Sequence, residues 1–265
     1  MQDARFAEAF LALCGDWLKS HDCAVIASGM VGSRQGWKEA PYLDCPASIS
    51  QAAISLATVP ITSQRVLHIV PGLRHAGEDG TWDVMRGEET QIWGAGVAPG
   101  SCCVLPGTHS KWAWTGAHGE VVRFATYMTG ELYGLLTQHG ILGRLMVFGQ
   151  ERPRDFEAGV RVGLTGHAQA SHAIFAARTA GLMGDVAPEG LPDYLSGILI
   201  GIEIAGATLA GTPNRVTLIG DDGLSQRYAR ALAVAGLASE RGATEATVAG
   251  LFKIAKAAGL VGTGT

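Results

Sequence analysis

Hydrophobic residues along the chain follow two spacings, one typical of helices and one typical of short strands. Phe6, Phe10, Leu13 and Trp17 recur at intervals of four, three and four, which predicts a helix over residues 3–20. Apolar runs that end in turn residues predict strands at 24–28, 65–70, 101–105, 112–115, 120–126 and 215–220. The turn GAHG joins two of these runs, 112–115 and 120–126, and therefore predicts a hairpin.

Longer amphipathic segments between these strands predict further helices. They cover about 48–57, 83–96, 130–140, 153–162, 167–182, 191–210, 223–236 and 245–259. Thr129 and Thr244 are predicted to cap the helices that follow them, and the stretch HAGEDGTWD to form an exposed loop or hairpin tip. Strands that alternate with helices, with one hairpin, indicate an α/β protein.

Composition excludes several classes of protein. The net charge of -4 and scattered Lys and Arg residues argue against a nucleic-acid partner. Five cysteines without C-x-x-C spacing indicate a reducing cytoplasm. The longest apolar stretch, 198–210, is short and broken by Glu203, so no membrane span is expected. Gly makes up 37 of 265 residues, about twice its usual share, which indicates tight turns or backbone close to a ligand.

Familiar catalytic motifs are missing, and four polar stretches remain as candidates. The sequence has no P-loop, G-x-S-x-G or H-E-x-x-H, and GAGVAPG has one residue too many for a dinucleotide fingerprint. The first candidate, GMVGSRQGWKEAPY, carries Ser33, Arg34, Trp37 and Lys38. Arg or Lys could pair with a carboxylate and Trp37 could cover a carbon skeleton, or the stretch is a solvated surface turn.

The second candidate, VMRGEETQIWGAG, places Arg86 before Glu88 and Glu89. These residues fit a general base with an adjacent cation, or acids that only complement a helix dipole. The third, VLPGTHSKW, offers hydrogen-bond donors and the charge of Lys111 to phosphate, or is a turn with a solvated lysine. In the fourth, LIGDDGLSQRYARAL, an aspartate could meet ribose hydroxyls or a metal, or Asp222 is a helix N-cap.

The order of these stretches resembles the 2-dehydro-3-deoxygalactonokinase family. The motifs that carry the resemblance are GMVGSRQGWKEAPYL, VMRGEETQ, LPGTHSKW, MTGELYGLL, LSGILIGIEIA and VTLIGDDGLSQRY. The resemblance implies a two-lobed actin-like ATPase (ribonuclease H-like) fold, with an N-terminal lobe at 1–82 on the sugar-acid side and a C-terminal lobe at 83–265. It implies phosphorylation of 2-dehydro-3-deoxy-D-galactonate at its terminal hydroxyl in galactonate catabolism, with ATP and Mg²⁺.

The resemblance also implies a role for each candidate stretch. Glu88 becomes the candidate base, with Glu89 as the alternative and Arg86 beside them. The remaining residues divide by ligand: Gly107, Thr108, His109 and Lys111 for the phosphates; Gly220, Asp221, Asp222 and Gly223 for adenosine; Ser33, Arg34, Trp37 and Lys38 for the sugar acid, with Arg34 or Lys38 on its carboxylate. Metal ligands stay unassigned.

One departure from the family concerns the start of the chain. The family opens with a strand of the form I-D-W-G-T-T-N, which forms the first phosphate loop and carries an Asp that organises magnesium. MQDARFAEAF resembles the helix after it, so the first lobe is expected to be incomplete and the chain as given a poor kinase. A non-catalytic binder of sugar acid or nucleotide and a kinase for a related sugar acid stay open as alternatives, as does a homodimer.

Overall fold

The computed structural model describes residues 2–62, 65–77 and 79–261 and has the predicted mixed α/β character. The helices are α1 Gln2–Ser20, α2 Ile49–Ile54, α3 Glu88–Gly94, α4 Thr129–Gln138, α5 Pro153–Gly166, α6 Ala170–Met183, α7 Leu191–Thr208, α8 Asp222–Val234 and α9 Ala246–Ala257. The strands are β1 Val25–Ala27, β2 Tyr42–Asp44, β3 Ala57–Thr62, β4 Arg65–Ile69, β5 Gly72–Ala76, β6 Trp82–Met85, β7 Cys102–Leu105, β8 Ser110–Thr115, β9 Val121–Tyr127, β10 Arg215–Leu218 and β11 Ala238–Arg241. None of the helices in these ranges is both long and apolar enough to cross a membrane.

The strands form three sheets, with orders β1-β4-β3, β2-β5-β6 and β11-β10-β7-β8-β9. In the largest sheet β10 runs parallel to both β7 and β11, and β8 and β9 are neighbours as the predicted hairpin requires. Strand β7 is buried at every position because it lies inside this sheet. Buried runs of this kind are typical of parallel strands that are covered on both faces.

Contacts divide the chain into two compact units, each assembled from separate segments. The first contains residues 1–100, 114–124 and 243–265, and the second contains 101–113 and 125–242. The last helix, α9, packs on α3 within the first unit, where a Cβ on Gly94 would lie 1.7 Å from the Ala246 carbonyl oxygen. The predicted lobes, 1–82 and 83–265, are a different division, and their boundary stays a prediction.

Glycine in the second unit has a use that its abundance alone did not indicate. Helices α5 and α7 pack backbone to backbone, because Gly159, Gly163, Gly197 and Gly201 leave no side chain between them. A Cβ on Gly197 would lie 2.1 Å from the Phe156 carbonyl oxygen, far inside contact distance. These glycines serve the close packing of two helices.

Several predicted local features are wrong. Residues 82–85 form β6 instead of the start of a helix, because they pair antiparallel with β5, and α3 begins only at Glu88. Thr129 is the first residue of α4 and caps nothing, since the N-cap is Met128. The N-cap of α9 is Glu245, not Thr244. Strands β2, β3, β5 and β11 were not predicted. Of the two alternatives for 75–83, the hairpin tip is confirmed, because β5 and β6 pair antiparallel on either side of it; residue 78 lies outside the described ranges.

Candidate active site

The loop 106–109 follows the buried strand β7 and lies against the start of α4. The Glu131 amide donates to the Thr108 carbonyl oxygen at 3.0 Å, and a Cβ on Gly130 would lie only 2.5 Å from the Gly107 carbonyl oxygen. A helix N-terminus is favourable for anions because its amides and dipole are positive. A cavity of about 540 Å³, lined in part by Gly107, Thr108, Thr129 and Gly130, opens beside this loop.

The two basic residues predicted to bind phosphate, His109 and Lys111, form hydrogen bonds with nearby groups of the protein. His109 pairs through Nε2 with the carboxylate of Glu131 in the first turn of α4. Lys111 is 3% exposed, and its Nζ donates to the His109 carbonyl oxygen at 2.9 Å. The structure therefore gives both side chains a part in shaping the loop, and their contact with phosphate stays a prediction.

The turn 219–223 lies beside this loop, at the same edge of the sheet. Leu218 of β10 is in register with Val104 of β7, and the next amide, of Ile219, donates to the Val104 carbonyl oxygen at 2.9 Å. Because the strands are parallel, both of the segments that follow them emerge at their carboxyl ends, where ligands bind in open α/β sheets. The structure thus brings together the stretches predicted for phosphate and adenosine.

The aspartates of the 219–223 turn have structural partners. Asp221, not Asp222, is the N-cap of α8, and its Oδ1 accepts from the Leu224 amide at 3.1 Å. Asp222 instead pairs with Arg241, whose Nη2 also donates to the Gly220 carbonyl oxygen at 3.2 Å. The four predicted adenosine residues, Gly220, Asp221, Asp222 and Gly223, are all exposed.

A buried carboxylate that was not predicted as a site residue organises the surroundings of the 106–109 loop. Glu203 of α7 is 1% exposed, and its Oε1 accepts from Ser110 at 2.7 Å and from Trp112 at 2.8 Å. Its Oε2 accepts from Tyr228 at 2.7 Å and from Thr129. Burial raises the pKa of Glu203, and the four hydrogen bonds oppose that shift. The sequence signal was a single acid inside an apolar helix.

The acidic pair predicted for catalysis lies at the start of α3, and its two members differ in exposure. Glu88 is half-buried, and its Oε2 accepts from the Arg86 amide at 2.9 Å. Glu89 is fully buried and accepts from the Gly87 amide at 2.7 Å and from the Thr90 hydroxyl at 3.0 Å. Burial raises the pKa of Glu89 to about 7, although both hydrogen bonds oppose the shift.

The guanidinium of Arg86 has partners other than the acidic pair, and its role in catalysis stays a prediction. It lies over the Tyr42 ring, 4.2 Å from its centroid, and Nη2 donates to the Ala40 carbonyl oxygen at 2.9 Å. No ion pair joins it to Glu88 or to any other acid in the described ranges. The backbone of Arg86 holds Glu88, and its side chain faces the segment 32–42.

The predicted sugar-acid segment, 29–42, contains both exposed and buried members. Arg34 and Lys38 are exposed, as a binding loop requires. Trp37 is only 8% exposed and packs against α1, with its ring centroid 6.3 Å from that of Phe6 and 5.8 Å from that of Phe10. The indole is therefore a core side chain, and its contact with a carbon skeleton has no support from its position.

Comparisons with known proteins agree on one family. The model of the family described as 2-keto-3-deoxy-galactonokinase matches residues 1–254. The 2-dehydro-3-deoxygalactonokinase of Escherichia coli (strain K12) is 36% identical over 223 residues, which are 83% of this chain and 74% of that protein. A protein of Rhizobium meliloti (strain 1021) named "Probable 2-dehydro-3-deoxygalactonokinase DgoK1" is 38% identical over 245 residues, 88% of this chain and 78% of that one.

A solved structure is similar over nearly the whole chain. It is a crystal structure from Sinorhizobium meliloti assigned as a 2-dehydro-3-deoxygalactonokinase, with a TM-score of 0.84 and 34% sequence identity. The match covers 96% of this chain and 85% of that one.

Proposed function

This chain belongs to the 2-keto-3-deoxy-galactonokinase family, and on that premise we propose that it phosphorylates 2-dehydro-3-deoxy-D-galactonate at its terminal hydroxyl, in galactonate catabolism. The family makes it a sugar-acid kinase that uses ATP. The family match over residues 1–254 carries the proposal, and the choice of sugar acid rests on the names of the two relatives.

The loop 106–109 and the turn 219–223 are proposed to bind ATP. Gly107 and Thr108 contact the β- and γ-phosphates, supported by the start of α4 behind them and by the cavity of about 540 Å³ beside them. His109 and Lys111 hold the loop in shape through Glu131 and the loop carbonyl, and Lys111 adds positive charge. Gly220 and Gly223 lie beside adenosine, next to the phosphate loop along the sheet edge.

Glu88 is proposed as the general base. It removes the proton of the substrate's terminal hydroxyl, whose oxygen attacks the γ-phosphorus while the bond from that phosphorus to the bridging oxygen of ADP breaks. The difference in exposure favours Glu88 over Glu89, because the carboxylate of Glu88 is partly accessible to a substrate. Glu89 has 0% exposure, and its carboxylate is occupied by the Gly87 amide and Thr90 hydroxyl.

Magnesium is proposed to enter with the nucleotide. No cluster of three or more His, Cys, Asp or Glu side chains suited to a metal ion occurs in residues 2–62, 65–77 and 79–261. We therefore expect Mg²⁺ to be held mainly by the phosphate oxygens of the nucleotide and by water, as is usual in kinases. When bound, the ion neutralises charge on the transferred phosphoryl group. A cytoplasmic location, consistent with five free cysteines, and a homodimer are further predictions.

The proposal is tested by coupled ATP turnover of this chain with 2-dehydro-3-deoxygalactonate and a panel of other sugar acids. We expect 2-dehydro-3-deoxygalactonate to be phosphorylated at its terminal hydroxyl, with the position identified by phosphorus NMR. Turnover only on another sugar acid would replace the substrate. If the protein phosphorylates no sugar acid, the proposal is wrong.

Glu88→Gln tests the base. We expect kcat to fall by about 10²–10⁴-fold while ATP affinity is retained, because the amide cannot accept the proton. Glu8→Gln, an exposed acid on α1, is the matched control and should keep full turnover. A Glu88→Gln enzyme with unchanged kcat would remove Glu88 from this role, and the same measurement on Glu89→Gln would then examine the alternative.

A further inference from the structure

The side chain of Arg86 lies in an unusual position for a cation, inside the first unit and 9% exposed. Arg86 directly follows β6, and its guanidinium contacts the Ala40 carbonyl oxygen and the Tyr42 ring of the segment 29–42. A Cβ built on Gly32 would lie 3.1 Å from Nη1, and a Cβ on Gly87 would lie 3.1 Å from the Gly29 Cα. The backbone at 29–32 therefore packs directly against residues 86 and 87, with no side chain between them.

Two of the three guanidinium nitrogens lack a hydrogen-bond partner in the part of the chain that the structure describes. Nη2 donates to Ala40, but Nε and Nη1 are buried without a hydrogen-bond partner among the described residues. The hydroxyl of Ser33, which follows Gly32 in the chain, is buried without a partner as well. Unsatisfied hydrogen-bonding groups thus occur on Arg86 and on the residue that follows Gly32, whose backbone packs against the Arg86 guanidinium.

These groups define the chemistry of what would satisfy them. A buried cation without a counter-ion is costly, and the ring of Tyr42 and one carbonyl compensate only part of that cost. Guanidinium nitrogens only donate, and a serine hydroxyl can donate as well. The missing partner must therefore be an acceptor with negative charge. Arginine is the residue best suited to a carboxylate because its planar donors match the carboxylate oxygens.

We propose that Arg86, with the Ser33 hydroxyl, binds the C1 carboxylate of the sugar acid. This inference rests on the proposed function, and it replaces Arg34 or Lys38 as the main partner of that carboxylate. The substrate has its carboxylate and its reacting hydroxyl at opposite ends of one carbon chain. Arg86 has a matching arrangement, since its backbone amide holds the Glu88 carboxylate and its guanidinium lies at the far end of its side chain.

The exposed cations of the same segment have a different part. Arg34 and Lys38 lie at the surface, where ion pairs contribute little to affinity but positive charge attracts anions. The Arg86 donors are covered by the segment 29–42, so the carboxylate reaches them only when part of that segment is displaced. Binding then exchanges an uncompensated buried charge for a compensated one, which favours substrates that carry a carboxylate.

Steady-state kinetics with Arg86→Met test the proposal. The comparison substrate is the aldehyde that lacks C1 and its carboxylate but keeps the terminal hydroxyl. We expect KM for the sugar acid to rise about 10- to 100-fold, as for the loss of a charged hydrogen bond, with a smaller change in kcat. The preference for the acid over the aldehyde, as a ratio of kcat/KM values, should fall by the same factor. Arg86→Lys should restore part of it. An unchanged preference would overturn the proposal.

Two further variants guard against misfolding and unspecific effects. Ser33→Ala removes only one hydroxyl group, so it can still test the carboxylate site if Arg86→Met does not fold. It should raise KM for the sugar acid and leave the rate with the aldehyde less affected, and an unaltered KM would contradict its role. Arg5→Met, a change at an exposed arginine of α1, is the matched control and should leave both substrates unaffected.

A binding measurement separates this inference from the proposed function. If wild type shows no turnover, the proposed function fails, and the site is then tested with pyruvate, which shares the 2-oxo acid end of the substrate. Pyruvate that raises the melting temperature of wild type more than that of Arg86→Lys or Ser33→Ala supports the carboxylate site. If pyruvate stabilises all three proteins equally, or none of them, the site is wrong.

Discussion

The buried acid Glu89 should make the stability of the protein depend on pH in a window that can be calculated. Burial raises its pKa from 4.5 to about 7 in the folded protein. Between these two values the folded state keeps a proton that the unfolded state has released. The free energy of unfolding therefore falls as pH rises through this window, and the loss is complete above about pH 7.

The size of the effect follows from the two pKa values. Each pKa unit corresponds to about 1.36 kcal/mol, so the shift from 4.5 to about 7 gives a loss of about 3 kcal/mol. Glu89→Gln removes the titration while keeping the shape of the side chain. Its amide oxygen can accept from the Gly87 amide, and its NH₂ can donate to Thr90, whose hydroxyl rotates to accept.

Urea unfolding of both proteins from pH 4.5 to pH 8, at constant ionic strength, measures the difference. The stability of Glu89→Gln relative to wild type should increase by about 3 kcal/mol across the range. The other buried acid with a raised pKa, Glu203, is present in both proteins, so its contribution cancels in the comparison. If the two stability curves run parallel, Glu89 titrates as an ordinary acid, and the reasoning from its burial is refuted.

Two further predictions concern the second unit. Gly197→Ala should lower the free energy of unfolding by at least about 1–3 kcal/mol, because its Cβ would meet the Phe156 carbonyl oxygen. Gly134→Ala is the control: it has open space around it and should stabilise α4 by up to about 1 kcal/mol. Urea unfolding measures both, and equal stabilities would contradict the close packing of α5 and α7. Tyr228→Phe should cost about 1–3 kcal/mol because it removes one donor from the buried Glu203 carboxylate, and a thermal unfolding curve unchanged from wild type would contradict that network.

Local patterns predicted the parts of the fold that depend on neighbours in sequence. The helix over 3–20 and the strand at 101–105 were predicted because their spacing and turn residues are visible in short windows. Residues 82–85 were misread because their strand character depends on pairing with β5. Thr129 was misread for a similar reason, since its hydroxyl binds Glu203, which is distant in the sequence.

In the candidate site, too, the sequence predicted local motifs but not the features that depend on distant contacts. Motif order predicted one stretch for phosphate and one for adenosine. The structure places these two stretches directly after neighbouring parallel strands, and their ligands stay a prediction. The order of the motifs could not show that Lys111 is buried or that Glu89 is buried more deeply than Glu88, because burial depends on the whole fold. Glu203 was seen only as a polar interruption of an apolar helix, and its four donors come from three separate elements, β8, α4 and α8.

The contact between α5 and α7 has a consequence for how this protein can change over time. Four glycines form this contact, and any mutation of one of them adds atoms where the opposite backbone already lies: Gly159, Gly163, Gly197 and Gly201. A second mutation on the partner helix cannot make room, because the partner position has no side chain to shorten. Sequence change at these four positions is therefore blocked on both helices. Variation should accumulate on the outer faces of the two helices, while the line of contact stays fixed across descendants of this chain.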